Sequence, residues 1–192
     1  WALLLAGMAL LVLALLPTLL YAASLYVLGN PVGNLDLGST AGSYLGLLIL
    51  GGSYLAISLM FSASTDNSIV AFVGGAAGSL AMYAGFDAFV DLPSLANRGL
   101  YLLQWGISEH YTSMSRGVID ANDLIYFGGL TAAFLAGARL LLEPLKNLRN
   151  AMPIGLALAA VALSTFRPIF LRLDLTADQR YFFLDDELDE LI

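Results

Sequence analysis

Five long apolar stretches separated by shorter polar ones organise the chain: residues 2 to 27, 43 to 61, 69 to 90, 124 to 142 and 151 to 169. Each comes near the roughly 20 apolar residues that an α-helix needs to cross the hydrocarbon of a bilayer. Pro17 predicts a kink in the first stretch, tolerated in a membrane where neighbours satisfy the freed carbonyl, and Tyr21 and Tyr26 mark a water interface. The second and third are joined only by "SASTDNS", residues 62 to 68, which predicts an antiparallel hairpin. The loop from Asp91 to Asn122 is too long for a simple turn, and its "LANRGLYLLQWGI" is apolar and aromatic but too short to span. The pattern therefore predicts an all-α fold: a polytopic transmembrane bundle of about five membrane helices plus an extracytoplasmic interfacial or re-entrant helix.

Small residues add a packing signal. Gly42 and Gly46, and again Gly74 and Gly78, are four apart and share a helix face, where absent side chains let another backbone approach. The contact is either within the bundle or with a second copy.

Composition moves the picture firmly into lipid: 59% of residues are hydrophobic, only 12% are charged, and the mean hydropathy is +0.80, against about a quarter charged in soluble domains. The absence of cysteine excludes disulfides, thiolate metal sites and cysteine nucleophiles. Eight Lys and Arg, scattered singly, speak against nucleic acid. The net charge of −7 sits mostly in the tail, where residues 170 to 192 hold seven acids against Arg172 and Arg180. Trp1 opens straight onto an apolar run with no basic segment before it, so the run reads as a membrane helix entered part-way, with natural sequence expected before it, and not as a signal peptide.

Arg139, Lys146 and Arg149 crowd the connector between the fourth and fifth stretches, which the positive-inside rule assigns to the cytoplasm. Residues 62 to 68 then lie inside, and 28 to 42, 91 to 122 and the tail after 169 outside. Arg98, Arg116, Arg167 and Arg172 count against this orientation.

The polar residues offer little chemistry. His110 beside Glu109 is the chain's one histidine, whereas zinc sites use three or four ligands at recognisable spacing. Ser108, Ser113 and Ser115 lack a second His or a Lys base, so a serine hydrolase is disfavoured. Asp120, followed three positions later by Asp123, reads as an N-cap with an acid in the first turn. Asp87 and Arg139 lie near the ends of apolar runs, where they either snorkel to headgroups or line a path or interface.

Two segments carry a more specific signal. "GNPVGNLDLGS", residues 29 to 39, within the surrounding stretch 16 to 72, and "HYTSMSRGVIDANDLIYF", residues 110 to 127, resemble the later half of the permease of gliding-motility-associated bacterial ABC transporters, in the type-2 exporter superfamily. "RPIFLRLDLTADQRYFF", residues 167 to 183, is similar to the start of the auxiliary subunit of such systems, although "FFLDDELDELI" departs from that pattern. The resemblance implies residues 1–142 as later permease helices, 143–150 as a cytoplasmic linker, and 151–192 as the membrane helix and start of the extracytoplasmic auxiliary subunit.

It further implies a multi-pass protein of the bacterial inner membrane, with a second permease copy or homologous half, the auxiliary subunit, membrane lipid and an ABC ATPase subunit as partners. His110, Arg116, Asp120 and Asp123 would be outer-loop and cap residues without a catalytic part. The second and third helices would line the dimer interface, and residues 91 to 122 would shape an outer gate. The helices such permeases carry earlier, including the one that couples to the ATPase, would precede Trp1. The chain contains no G-x-x-x-x-G-K-[ST] phosphate loop. ATP and Mg are thus expected in the partner ATPase, with no cofactor in this chain and no enzymatic activity of its own. The rival readings are a structural anchor of a motility or secretion machine without transport, and a membrane-embedded enzyme.

Overall fold

A computed structural model describes residues 2–29, 36–90, 105–142, 158, 159 and 161, and the backbone of 172–174. In chain order the elements are α1 (Ala2–Gly29), α2 (Leu37–Ser64), α3 (Ser68–Val90), α4 (Ile107–Ser115), β1 (Val118–Asp120), α5 (Ala121–Leu142) and β2 (Arg172–Asp174). The described residues are almost entirely helical, and α1, α2, α3 and α5 are long and apolar enough to cross a membrane. Most of the fifth apolar stretch, the linker 143–150 and most of "LANRGLYLLQWGI" lie outside the described residues.

Helix α2 starts at Leu37, well before the apolar run at residue 43, because Asp36 caps it: Oδ1 accepts N–H bonds from Gly38 (2.9 Å) and Ser39 (3.1 Å). The small polar residues that follow stay helical by returning their hydroxyls to the backbone, with Thr40 Oγ1 donating to Asp36 O and Ser43 Oγ to Ser39 O, each at 2.7 Å. At the other end α2 runs on to Ser64, and the connector to α3 shrinks to residues 65–67, where Asn67 Oδ1 accepts from Ile69 N (2.9 Å). Pro17 lies inside an α1 that remains helical from end to end.

Helix α2 is the hub, packed most extensively against α5, then α3, and less against α1. The core joins Leu50 and Ile57 of α2 to Ile107 and Met114 of α4, Ile119 of β1, and Tyr126, Phe127 and Leu130 of α5. Large apolar side chains elsewhere point away from the protein, among them Leu10 and Leu20 on α1 and Phe72 and Leu80 on α3. Exposure on that scale suits acyl chains and not water.

At one end of the bundle α4 closes with Arg116 and Gly117, whose N–H groups reach back to Ser113 O and Met114 O (3.1 and 3.0 Å). Gly117 adopts φ +88°, a left-handed turn that lets the chain reverse into β1. The same glycine abuts α2 so closely that a Cβ on Gly42 would lie 2.6 Å from Gly117 Cα. Strand β1 pairs antiparallel with β2, with Val118 opposite Asp174, Ile119 opposite Leu173 and Asp120 opposite Arg172.

Candidate functional site

The polar residues of α4 and the first turns of α5 converge. Residues three apart on a helix share a face, so His110 and Ser113 look out from one side of α4, and Asp123 and Tyr126 from one side of α5. Asp123 stands at the centre, only 7% exposed. Its Oδ1 meets His110 Nδ1 at 2.8 Å, and its Oδ2 accepts from Ser113 Oγ at 2.5 Å. The His110 ring, itself buried, stacks on Tyr126 with centroids 3.9 Å apart and planes 18° from parallel. Tyr126 in turn donates its hydroxyl to the carbonyl of Trp105 (2.7 Å), just before α4. Tyr126 also meets Phe127 edge to face, with centroids 5.4 Å apart.

This order of groups decides what the cluster can do. In a serine nucleophile system the imidazole lies between the hydroxyl and the carboxylate, so that it can take the hydroxyl proton. Here the carboxylate lies between the other two, and each of its oxygens is bonded to one of them. Ser113 is held by Asp123 and Ser115 bonds back to Thr112 O (2.8 Å). Ser108 donates to Asp87 Oδ1 (2.9 Å), tying α3 to α4. Through these bonds the arrangement acts as a polar clamp between α4 and α5. Burial, reinforced by nearby Tyr83, raises the Tyr111 phenol above its ordinary range. Among the described residues no three His, Asp or Glu come together to hold a metal ion.

The residues singled out in the sequence fall into separate places. His110 lies within α4 and is buried, whereas a loop position was anticipated; Arg116 is the exposed residue after that helix. Asp120 occupies the N-cap of α5, accepting from Asn122 N at 3.0 Å. Asp123 is in the first turn, but its carboxylate turns sideways into the clamp. Gly46 faces Met114, while Gly74 and Gly78 both lie against Phe61 across the α2–α3 contact. Asp87 joins the α4 end of the bundle, and Arg139 is exposed in the last turn of α5. Asp87 and Arg139 thus lie toward opposite ends of the bundle. The sequence reading did not bring Tyr126 and Asp123 to the His110 ring; the i, i+3 spacing of polar groups on both helices is the signal that points to it.

Below the clamp lies an apolar cavity of about 280 Å³ bordered by α2, α3 and α5 and by Leu158 and Val161 of the fifth apolar stretch, with Trp105 and Tyr126 at its clamp end. No family model, curated protein or solved structure matches the chain.

Proposed function

We propose that this chain is the membrane-spanning permease component of an ATP-driven ABC exporter of the bacterial inner membrane, serving gliding motility or surface secretion, with ATP hydrolysis in a separate subunit. One observation carries the reading. The two segments that resemble such permeases, residues 29–39 and 110–127, are far apart in sequence yet meet where their described residues are concerned. Ser39 Oγ donates to Arg116 O at 2.9 Å across a separation of 77 residues, and Gly42, just past the first segment, abuts Gly117. A shared structural unit at one end of the bundle is what an outer gate built from these two segments requires.

The strand pairing supports the accompanying topology. Helix α5 carries the chain away from β1, and β2 lies beside β1 again. The pairing accords with residues 91 to 122 and the tail after 169 lying on the same side of the bilayer. The proposed fifth span, leading into the auxiliary-subunit segment, belongs to the same topology. In this reading, closure of the ATPase pair rocks two permease halves between inward and outward states.

The decisive experiment co-expresses the chain with a cytoplasmic ABC ATPase and the remaining permease helices, purifies the complex and measures ATP turnover in proteoliposomes. Stimulated ATPase activity that vanishes without the permease supports the proposal. A complex that assembles with no effect on turnover favours the structural anchor, and turnover by this chain alone overturns the assignment of hydrolysis to a partner. Orientation is tested separately on the cysteine-free background: cysteines at Asn34, Thr112 and Thr176 react with an impermeant reagent from outside, and those at Asn67 and Asn147 do not. The reverse pattern inverts the topology.

A further inference from the structure

Two tyrosines of the bundle place their hydroxyls on a partner, Tyr44 donating to Thr18 Oγ1 and Tyr126 to Trp105 O. Three others do not: the hydroxyls of Tyr54 on α2, Tyr83 on α3 and Tyr111 on α4 make no hydrogen bond among the described residues. Helix packing brings these three together. A Cβ on Gly75 would meet Ser58 Cα at 3.2 Å and one on Gly78 would meet Ile57 Cγ2 at 3.3 Å, so α3 runs opposite to α2. Counting on from those contacts, Tyr83 and Tyr54 lie within about 3 Å of one level along the axis. A Cβ on Gly46 would meet Met114 Cβ at 3.0 Å and one on Gly42 would meet Gly117, so α4 also runs opposite to α2, and Tyr111 and Tyr54 are offset by about 7.5 Å. Long side chains on a helix lean toward its N-terminus. Tyr54 thus leans toward the end where α4 closes at Gly117, Tyr83 and Tyr111 lean away from that end, and the phenols converge between the three helices. They are close enough for a charge on one to act on the others.

Tyr54 stands about 26 Å along α2 from Leu37, too deep for its hydroxyl to reach water over the end of the helix. Hydrocarbon offers a hydroxyl no partner, and leaving one unpaired there is unfavourable. None of the three side chains is sealed in the core: Tyr54 and Tyr111 are half-buried and Tyr83 is 36% exposed. From the trio to the α4 end the walls stay polar. Asp87 follows one turn beyond Tyr83 on α3, and Ser108, Thr112 and Ser115 form an i, i+4, i+7 stripe on α4 that meets α3 where Ser108 donates to Asp87 Oδ1. On the other side of Tyr54, α2 buries Ala56 and Ile57 completely. We infer that a water-filled recess enters the bundle at the α4 end, between α3 and α4, and stops at a floor formed by Tyr54 above Ile57. Its water supplies the hydrogen bonds that the three phenols lack, and the polar stripe keeps that water continuous with the solution at the same end. Small hydrophilic solutes therefore reach the interior of the bundle from one side of the membrane and are stopped at Ile57. The recess requires only that α2 and α3 lie in lipid, and it exists whether or not the chain transports.

Thiol chemistry reads the recess directly, because the native chain has no cysteine and a charged methanethiosulfonate needs a thiolate in contact with water. The full chain in sealed vesicles carries Tyr54→Cys, Tyr83→Cys or Tyr111→Cys, one at a time. Thr112→Cys marks the α4 end, Ile57→Cys lies beneath the floor, and Phe72→Cys lies on the lipid face of α3, where the native side chain is 77% exposed. From the side on which Thr112→Cys reacts, the three recess cysteines are expected to react within roughly tenfold of its rate, and Ile57→Cys and Phe72→Cys about a hundredfold more slowly, since thiols in apolar surroundings do not ionise. Ser108→Cys, close to the native size, repeats the test where a tyrosine replacement prevents folding. Silence at Tyr54→Cys in folded protein, or at Ser108→Cys, beside a reactive Thr112→Cys overturns the recess. Equal reaction at Phe72→Cys and Tyr54→Cys also overturns it, because the trio would then be no wetter than the lipid face. Reaction of Ile57→Cys as fast as that of Tyr54→Cys overturns the closed floor.

Discussion

Helix α1 and the α4–α5 corner belong to one bundle, yet they are built on opposite terms. No residue of α1 is buried, and its attachment to α2 uses side chains fitted over glycines, Leu11 against Gly51 and Leu55 against Gly7, with one bond from Tyr44 Oη to Thr18 Oγ1 (2.9 Å). The corner buries His110 and Asp123 together with Tyr126, Phe127 and Met114. In water the more hydrophobic element would be the core. In lipid, hydrocarbon surrounds the chain on all sides and gives apolar faces little reason to leave it. What gathers inside is whatever lipid cannot satisfy or whatever permits close backbone contact: carboxylate, imidazole, hydroxyl and glycine.

The largest effect expected from this contrast is at Asp123. Replacing it with Ala leaves the buried imidazole of His110 and the hydroxyl of Ser113 without their shared acceptor, a loss of about 3 kcal/mol for a broken buried pair. Leu10→Ala on α1, where the side chain is 67% exposed, changes stability by less than about 0.5 kcal/mol. Equilibrium unfolding in mixed micelles reads both, and comparable losses would erase the distinction between the two regions.

Backbone geometry comes next. Gly117→Ala places a Cβ on a residue at φ +88° and 2.5 Å from Ser39 Cα. Both the strain and the clash oppose it, and neither can be relieved by turning a side chain, so about 2 kcal/mol is expected to be lost. If the variant unfolds where the native chain does, the close α2–α4 approach is not real.

Smaller again is Gly78→Leu. A Cβ there collides with the Phe61 ring, which can swing, so overpacking costs about 1 kcal/mol. Ala77→Leu, on the exposed side of α3, is the matched control and should be silent in the same unfolding assay. Equal behaviour at both positions would leave Gly78 without a packing role.

How much of this could be read from the chain follows from the same physics. Helix positions were legible because hydrophobic length reports on the bilayer thickness, and α3 and α5 match their apolar runs closely. The start of α2 was not, since "LGSTAGS" looks like a loop until Asp36 is recognised as its cap. The clamp stayed hidden for a different reason. His110 and Asp123 are 13 residues apart on different elements, and only the reversal at Gly117 turns their faces toward each other. Asp120 was legible as a cap because capping is local; Asp123 resembled a second helix-dipole acid because nothing local distinguishes a carboxylate facing solvent from one facing His110.

The smallest effect is expected where α2, which touches both regions, meets α5. Ser53 is fully buried, and its Oγ lies 3.1 Å from Thr131 Oγ1 and 3.2 Å from its own helix's Ile49 O. A serine hydroxyl has one proton. If that proton goes to Ile49 O, Thr131 donates across the helix contact; if it goes to Thr131, the carbonyl of Ile49 loses only a supplementary bond. Either way one interhelical bond is at stake, and such bonds between membrane helices average about 0.6 kcal/mol because the separated helices find other partners. A double-mutant cycle of Ser53→Ala and Thr131→Val isolates the term, since both replacements keep the packing nearly unchanged. The expected coupling is about 0.6 kcal/mol, well below the Asp123 loss. A coupling as large as that loss would mean that α2 and α5 are held by polar bonds throughout, and a coupling of zero would leave their contact to the glycines and the apolar core.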